Sequence, residues 1–111
     1  MAAYMIAFID VKDPAQYAEY TKHTPRVLSQ YGGRMIVRGG NPEALEGTSP
    51  GPRCVVVEFA DRAAVKTFYE SPAYQALIKV RSRASTANIM VVDGLDAAGW
   101  AAAVAESSKH G

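Results

Sequence analysis

Residues 38–52 read Arg38-Gly39-Gly40-Asn41-Pro42-Glu43-Ala44-Leu45-Glu46-Gly47-Thr48-Ser49-Pro50-Gly51-Pro52. Residues 39–52 hold four glycines and three prolines, which exclude a crossover helix because both residue types break helical continuity. The stretch separates two short apolar runs, residues 33–38 and Arg53–Phe59, and joins them as a long hairpin loop between antiparallel strands. Two further runs rich in Val, Ile, Phe and Met, residues 4–11 and 88–92, lie outside this pair.

Helices fill the remaining gaps. Residues 13–31 open with Asp13 as N-cap and Pro14 at the first helical position, and end at Gly32-Gly33. Pro25 kinks or divides this helix near Thr24, since proline lacks an N–H and crowds the preceding turn. Residues 61–85 carry two helix starts: Asp61 ahead of Arg62–Glu70, and Ser71-Pro72 ahead of residues 73–84. Tyr74, Leu77, Ile78 and Arg81 share one face of the second. The order β-α-β-β-α-β predicts an α+β fold, a ferredoxin-like antiparallel sheet, over residues 1–95. Residues 96–111 form an Ala-rich tail in which Trp100 and Val104 are four apart, a pattern for a short helix with a frayed end.

Alternation along the strands divides their side chains into two sets. Met5, Ala7, Ile9 and Val11, Met35 and Val37, Val55, Val57 and Phe59, and Ile89 and Val91 form an apolar set for the helices to cover. The other set holds Tyr4, Ile6, Phe8 and Asp10; Arg34, Ile36 and Arg38; Cys54, Val56 and Glu58; and Asn88, Met90 and Val92. It too is mostly apolar, and two helices cannot cover both sides of a sheet. A homodimer packed sheet to sheet is the expected cover; the Ala/Trp tail folding back is the alternative.

Balanced charge narrows the partners. The chain has 111 residues, with 12 Lys+Arg against 11 Asp+Glu, so neither phosphate neutralisation of nucleic acid nor a polybasic membrane anchor is expected. The apolar start, residues 1–9, has no basic leader and is too short to span a bilayer, which makes the cytoplasm the expected location. Cys54 is the single cysteine, read as a small buried thiol inside an apolar strand.

Strong catalytic signatures are missing. His23 and His110 are the only histidines, and no Cys/His/Asp cluster has metal-ligand spacing, so neither a metal nor a cofactor is expected. The Arg38-Gly39-Gly40 turn is no nucleotide loop; its glycines serve positive-φ turn geometry. Weaker candidates carry two readings each. Arg38 and Glu58 are an ion pair at the sheet end, or polar groups that orient a ligand. Tyr17, Tyr20 and Tyr31 on the first helix are core or ligand wall. His23 is a solvated side chain or a general acid or base, and Arg81 a snorkelling or an anion-binding arginine.

Several stretches together resemble the DUF1330 proteins: Tyr4-Met5-Ile6-Ala7-Phe8-Ile9-Asp10-Val11, Asp13-Pro14-Ala15-Gln16-Tyr17, Arg38-Gly39-Gly40, Leu45-Glu46-Gly47, Val57-Glu58-Phe59-Ala60-Asp61 and Ser71-Pro72-Ala73-Tyr74-Gln75-Ala76-Leu77. The resemblance covers about residues 2–95 and implies a small bacterial protein of the dimeric α+β barrel superfamily, with no established activity. The family pattern falls on Tyr17, Tyr20, Arg38, Gly39, Gly40, Glu46, Glu58, Ser71, Tyr74 and Arg81. Relatives often follow Leu-Glu-Gly with tryptophan, where this chain reads Thr48-Ser49-Pro50. Superfamily analogy implies a small-molecule binder or cofactor-free enzyme. Its ligand-binding residues would be Tyr17, Tyr20, Arg38, Glu58, Tyr74 and Arg81, with Glu58 or His23 as the proton-transfer group. The other class of function is a non-catalytic structural or regulatory homodimer.

Overall fold

Four apolar runs become strands in a computed structural model that describes residues 1–111. Strands β1 (Ala3–Val11), β2 (Arg34–Gly39), β3 (Arg53–Phe59) and β4 (Ser85–Asp93) form one antiparallel sheet in the order β2-β3-β1-β4. With the helices between them this is the ferredoxin-like α+β fold. β4 begins three residues before the apolar run at 88, because Ser85 pairs with Val11 at the far end of β1. The hairpin loop leaves β2 through Gly39 (φ 84°), Gly40 (φ 65°) and Asn41 (φ 45°), three successive left-handed residues that only glycine and asparagine adopt at low cost.

Capping chemistry sets the helix boundaries. Asp13, Asp61 and Ser71 each accept a hydrogen bond from the backbone N–H three residues on, opening α1 (Pro14–Thr21), α3 (Arg62–Glu70) and α4 (Pro72–Ala84). Pro25 does divide the 13–31 segment. The break falls at Lys22-His23, and Pro25 lies in the first turn of α2 (Thr24–Gln30), where its missing N–H costs nothing. Asp96 caps a fifth helix, α5 (Ala97–Ser108), through Gly99.

Helices α1 to α4 cover one face of the sheet. Met5, Ala7, Ile9, Val55, Val57 and Phe59 project from below into Val27, Leu28, Val65 and Phe68. Phe68 is fully buried; its ring centre lies 4.3 Å from that of Tyr74, 5.7 Å from Phe59 and 6.1 Å from Tyr31. Aromatic clusters of this spacing combine a large buried area with favourable quadrupole contacts.

Strand β2 departs from simple alternation. Met35 pairs with Val57 but Val37 pairs with Val56, so Ile36 is an extra residue, a β-bulge. Beyond it the faces exchange: Val37 joins the uncovered face with Val56, and Arg38 pairs with inward-facing Val55. Arg38 and Glu58 therefore do not share a face, contrary to strict alternation. Glu58 pairs instead with Arg34, Nη2 to Oε1 at 3.0 Å, and accepts from the Tyr4 hydroxyl at 3.2 Å.

The other sheet face has no cover. Ile36 and Met90 are 46% and 47% exposed on it, and Cys54, also on this side, is half-buried and not a core thiol. α5 does not fold back across it: none of its residues is buried, and Trp100 stays 63% exposed. The chain exposes 7097 Å², whereas a compact monomer of 11.9 kDa exposes about 6,000 Å².

Phe68→Ala is expected to lower unfolding free energy by about 3–5 kcal/mol, seen as a lower urea midpoint at unchanged slope. Leu45→Ala, at a position 92% exposed, is expected to stay within about 0.5 kcal/mol of the wild type.

Candidate functional site

Between the covered sheet face and α1, α2 and α4 lies a narrow cavity of about 30 Å³, room for about two waters. Ala7, Ile9, Met35, Val55 and Val57 form its floor, and Tyr17, Tyr20, Thr24, Leu28 and Tyr74 its roof. Arg38 and Arg53 complete the wall and are its only charged residues; they also line the shallow mouth, with Pro14, Tyr17 and Thr21. No carboxylate faces the cavity, and neither arginine enters a salt bridge.

The bulge in β2 turns Arg38 toward this mouth. Arg53 arrives by ordinary alternation: it pairs with buried Ile9 and precedes Val55 by two on the same face. Its guanidinium carbon lies 5.7 Å from the centre of the Tyr17 ring, a cation–π distance. Gly39 keeps the space beside it open, since a β-carbon there would stand 3.1 Å from Arg53 Nη1.

A hydrogen-bonded chain closes the inner end. Arg81, only 8% exposed in the last turn of α4, donates from Nη1 to the Tyr74 hydroxyl at 2.8 Å. The Tyr74 and Tyr20 hydroxyls are 2.7 Å apart. Arginine can only donate, so Tyr74 accepts from it; between the two hydroxyls either can be the donor, because the Tyr74 oxygen has a second lone pair. Arg81 has no acidic partner; the carbonyl end of the α4 dipole and the Tyr20 ring, 6.0 Å from its guanidinium carbon, stabilise its charge.

Burial pushes the Tyr74 hydroxyl far above its ordinary pKa, and Tyr20 beside it adds to the rise; Arg81 opposes both and loses. Tyr17 is also raised by burial, with Arg53 offsetting part of the effect. Burial works against the charge on Arg81, yet the tyrosines around it more than compensate and its pKa lies above the usual value.

Of the residues singled out by sequence, Tyr17, Tyr20, Tyr74 and Arg38 meet in this one cavity, and Arg81 backs it through Tyr74. Glu58 and His23 are elsewhere. Glu58 lies on the uncovered face with Arg34, and His23 precedes α2 with its Nδ1 accepting from Arg26 at 3.2 Å. Sequence reasoning missed Arg53, although it stands in the i, i+2 series of Val55, Val57 and Phe59. No three His, Cys, Asp or Glu side chains converge to hold a metal ion, and no helix is long and apolar enough to cross a membrane.

The raised tyrosines couple stability to alkaline pH. Both are neutral in the folded chain at pH values where an unfolded tyrosine, with a pKa near 10, has ionised. The unfolded state then binds fewer protons, so stability is complete below about pH 10 and falls as pH rises above it, approaching about 1.4 kcal/mol per pH unit for Tyr74. Urea titrations at pH 8 to 11.5 should show that decline, and Tyr74→Phe should flatten it while lowering stability at neutral pH by about 1–3 kcal/mol through the stranded Arg81.

Comparison with known proteins agrees on the fold. A protein of unknown function from Rhodopseudomonas palustris superposes with a TM-score of 0.69 at 18% identity, covering 86% of this chain and 83% of that one. A dimeric ferredoxin-like protein of unknown function from a Jannaschia species gives 0.63 at 11% identity, covering 85% and 100%. SnoaB, a cofactor-independent oxygenase from Streptomyces nogalater, gives 0.61 at 13% identity, covering 86% and 94%. At such identities the likeness is one of fold alone. No curated protein matches the sequence. The family model for DUF1330, a domain of unknown function, matches residues 2–95, and with most of its length accounted for the chain belongs to that family.

Proposed function

We propose that this protein binds a small metabolite in the cavity of each protomer of a homodimer, a dimeric α+β barrel. One observation carries the reading: a pocket walled by apolar and tyrosine side chains has two arginines and no acid among its lining groups. Ligand sites have this make-up, mostly apolar with a few polar groups that fix orientation. Tyr17, Tyr20, Tyr74 and Arg38 would contact the ligand, and Arg81 would hold the Tyr74 hydroxyl in place.

Binding is favoured over turnover by proton chemistry. General-base catalysis at neutral pH needs a group whose pKa is near 7. Glu58 and His23, the sequence candidates for that role, do not line the cavity, and Tyr17 and Tyr74 are held above the ordinary tyrosine value. Catalysis without a cofactor, as SnoaB's description would suggest by analogy, would have to rest on hydrogen-bond donation from Tyr20.

The homodimer is supported by the uncovered apolar face and by a neighbour described as dimeric. The surplus of roughly 1,100 Å² over a compact monomer exceeds the ~800 Å² per partner of a standard interface, though α5 contributes part of it. Residues 1–95 would form the dimer unit, with 96–111 as an appendage, in the cytoplasm of a bacterium. Neither nucleic acid nor membrane enters this reading. The alternative, a purely structural or regulatory dimer, draws on the Arg34–Glu58 pair and Tyr4 on the same face.

Light scattering after size exclusion at micromolar concentration should give twice the chain mass. Ile6→Asp, a charge in the middle of the uncovered face, should give the monomer with an unchanged far-UV spectrum. A wild-type monomer rejects the dimer. A panel of charged and neutral small metabolites should raise Tm by several degrees at saturating concentration. No shift with any of them, together with a dimer weakened by Glu58→Gln, favours the structural alternative.

A further inference from the structure

Arg53 has a defect that the cavity's packing does not explain. Its Nε is buried and has no hydrogen-bond partner, alone among the buried side-chain nitrogens and oxygens of the chain. A stranded N–H of a charged group is costly, and native structures rarely retain one without a use. Its position is also constrained. The Tyr17 ring lies against the guanidinium, and Gly39, whose φ of 84° is itself costly for other residues, leaves the space that Nη1 fills.

We infer that Arg53 and Arg38 hold the carboxylate of a slim monoanionic ligand at the mouth, with its apolar end directed into the cavity. This rests on the proposed binding cavity and adds the class of molecule it takes. Approached side-on, a guanidinium offers Nε and one Nη to the two oxygens of a carboxylate, which satisfies the orphan N–H in a bidentate pair. Arg38, exposed at the same mouth, adds a second positive charge with no acid of the protein to compete for it. The wall chemistry sets the other end: the floor and roof offer methyl, methylene and ring surface, with tyrosine hydroxyls from Tyr17, Tyr20 and Tyr74 as the polar groups.

Phosphate fits this mouth less well. Phosphate sites draw on a run of free backbone N–H groups at a helix start. Here the start of α1 carries Pro14, which has none, and the Gln16 N–H is already taken by Asp13 at 3.2 Å. The cavity, about 30 Å³, admits a short aliphatic end of about two carbons and excludes a ring.

The test uses the full-length protein and matched pairs of probes: propionate with propionamide, and butyrate with butyramide, measured by isothermal titration at 20 and 200 mM salt. Each carboxylate should bind at least tenfold more tightly than its amide. Arg53→Gln should remove that ratio while leaving amide affinity unchanged, and Arg53→Lys should retain only part of it. Arg38→Ala should reduce the ratio and its salt dependence. Equal binding of acid and amide, or tighter binding of inorganic phosphate than of either acid, overturns the carboxylate assignment and leaves the cavity reading standing. Failure of all four probes to bind the wild type overturns the cavity reading and this inference with it. Because Arg53→Gln removes the stranded N–H, its Tm should equal or exceed that of the wild type; a lowered Tm would mean that Arg53 is structural, and would count against the inference.

Discussion

A β-strand can present each side chain to only two faces, and the extra residue in β2 decides which of them receives Arg38. Without Ile36 as a bulge, Arg38 would fall opposite Cys54 on the uncovered face, the face that carries Arg34 and Glu58. With it, two arginines meet at the mouth of the cavity and one arginine–glutamate pair remains outside. The separation has an electrostatic consequence. A carboxylate beside Arg38 would neutralise it and close the mouth to anions; the bulge keeps Glu58 on the far side of a sheet.

The inner end of the cavity obeys the same economy. A buried arginine without an acid is costly in an apolar core, and Arg81 is made tolerable by a helix C-terminus, an aromatic ring and one phenol oxygen. Each of these partners leaves its charge intact. The hydrogen-bond chain from Arg81 reaches Tyr20 through Tyr74 and starts from a group that can only donate. The pocket thus has charged donors at its mouth and tyrosine hydroxyls inside, and its middle is apolar.

Much of this fold can be read from local chemistry. Asp13-Pro14, Asp61 and Ser71-Pro72 announce helices because a side-chain acceptor and a proline at N1 each satisfy the same orphan backbone groups. The glycines and prolines of residues 39–52 fix a hairpin, and with it the strand order. Pro25 ends one helix and begins another, as its missing N–H requires. The site was legible only in part. Tyr17, Tyr20 and Tyr74 follow helical spacing, but a bulge leaves no periodic signal: Arg34, Ile36 and Arg38 alternate perfectly in sequence and fail to do so in space. Arg53 is readable from parity alone, since it heads the run Arg53–Phe59 two residues ahead of inward-facing Val55. α5 shows the opposite limit, since its Ala-rich sequence specifies a helix without specifying anything for it to pack against.

Assembly and binding make separate demands on this sheet, and alternation assigns them to different residues of the same strands. In β1, Ile6 and Phe8 face outward while Met5, Ala7 and Ile9 face the helices; in β3, Cys54 and Val56 face outward while Arg53, Val55 and Val57 line the cavity. A change on one face leaves the side chains of the other in place, so the proposed interface and the proposed ligand site can vary independently within one backbone. The coupling that remains is through β2, where bulged residues serve both faces within four positions. Insertions or deletions there would alter both functions at once, whereas substitutions in β1 or β3 would alter one.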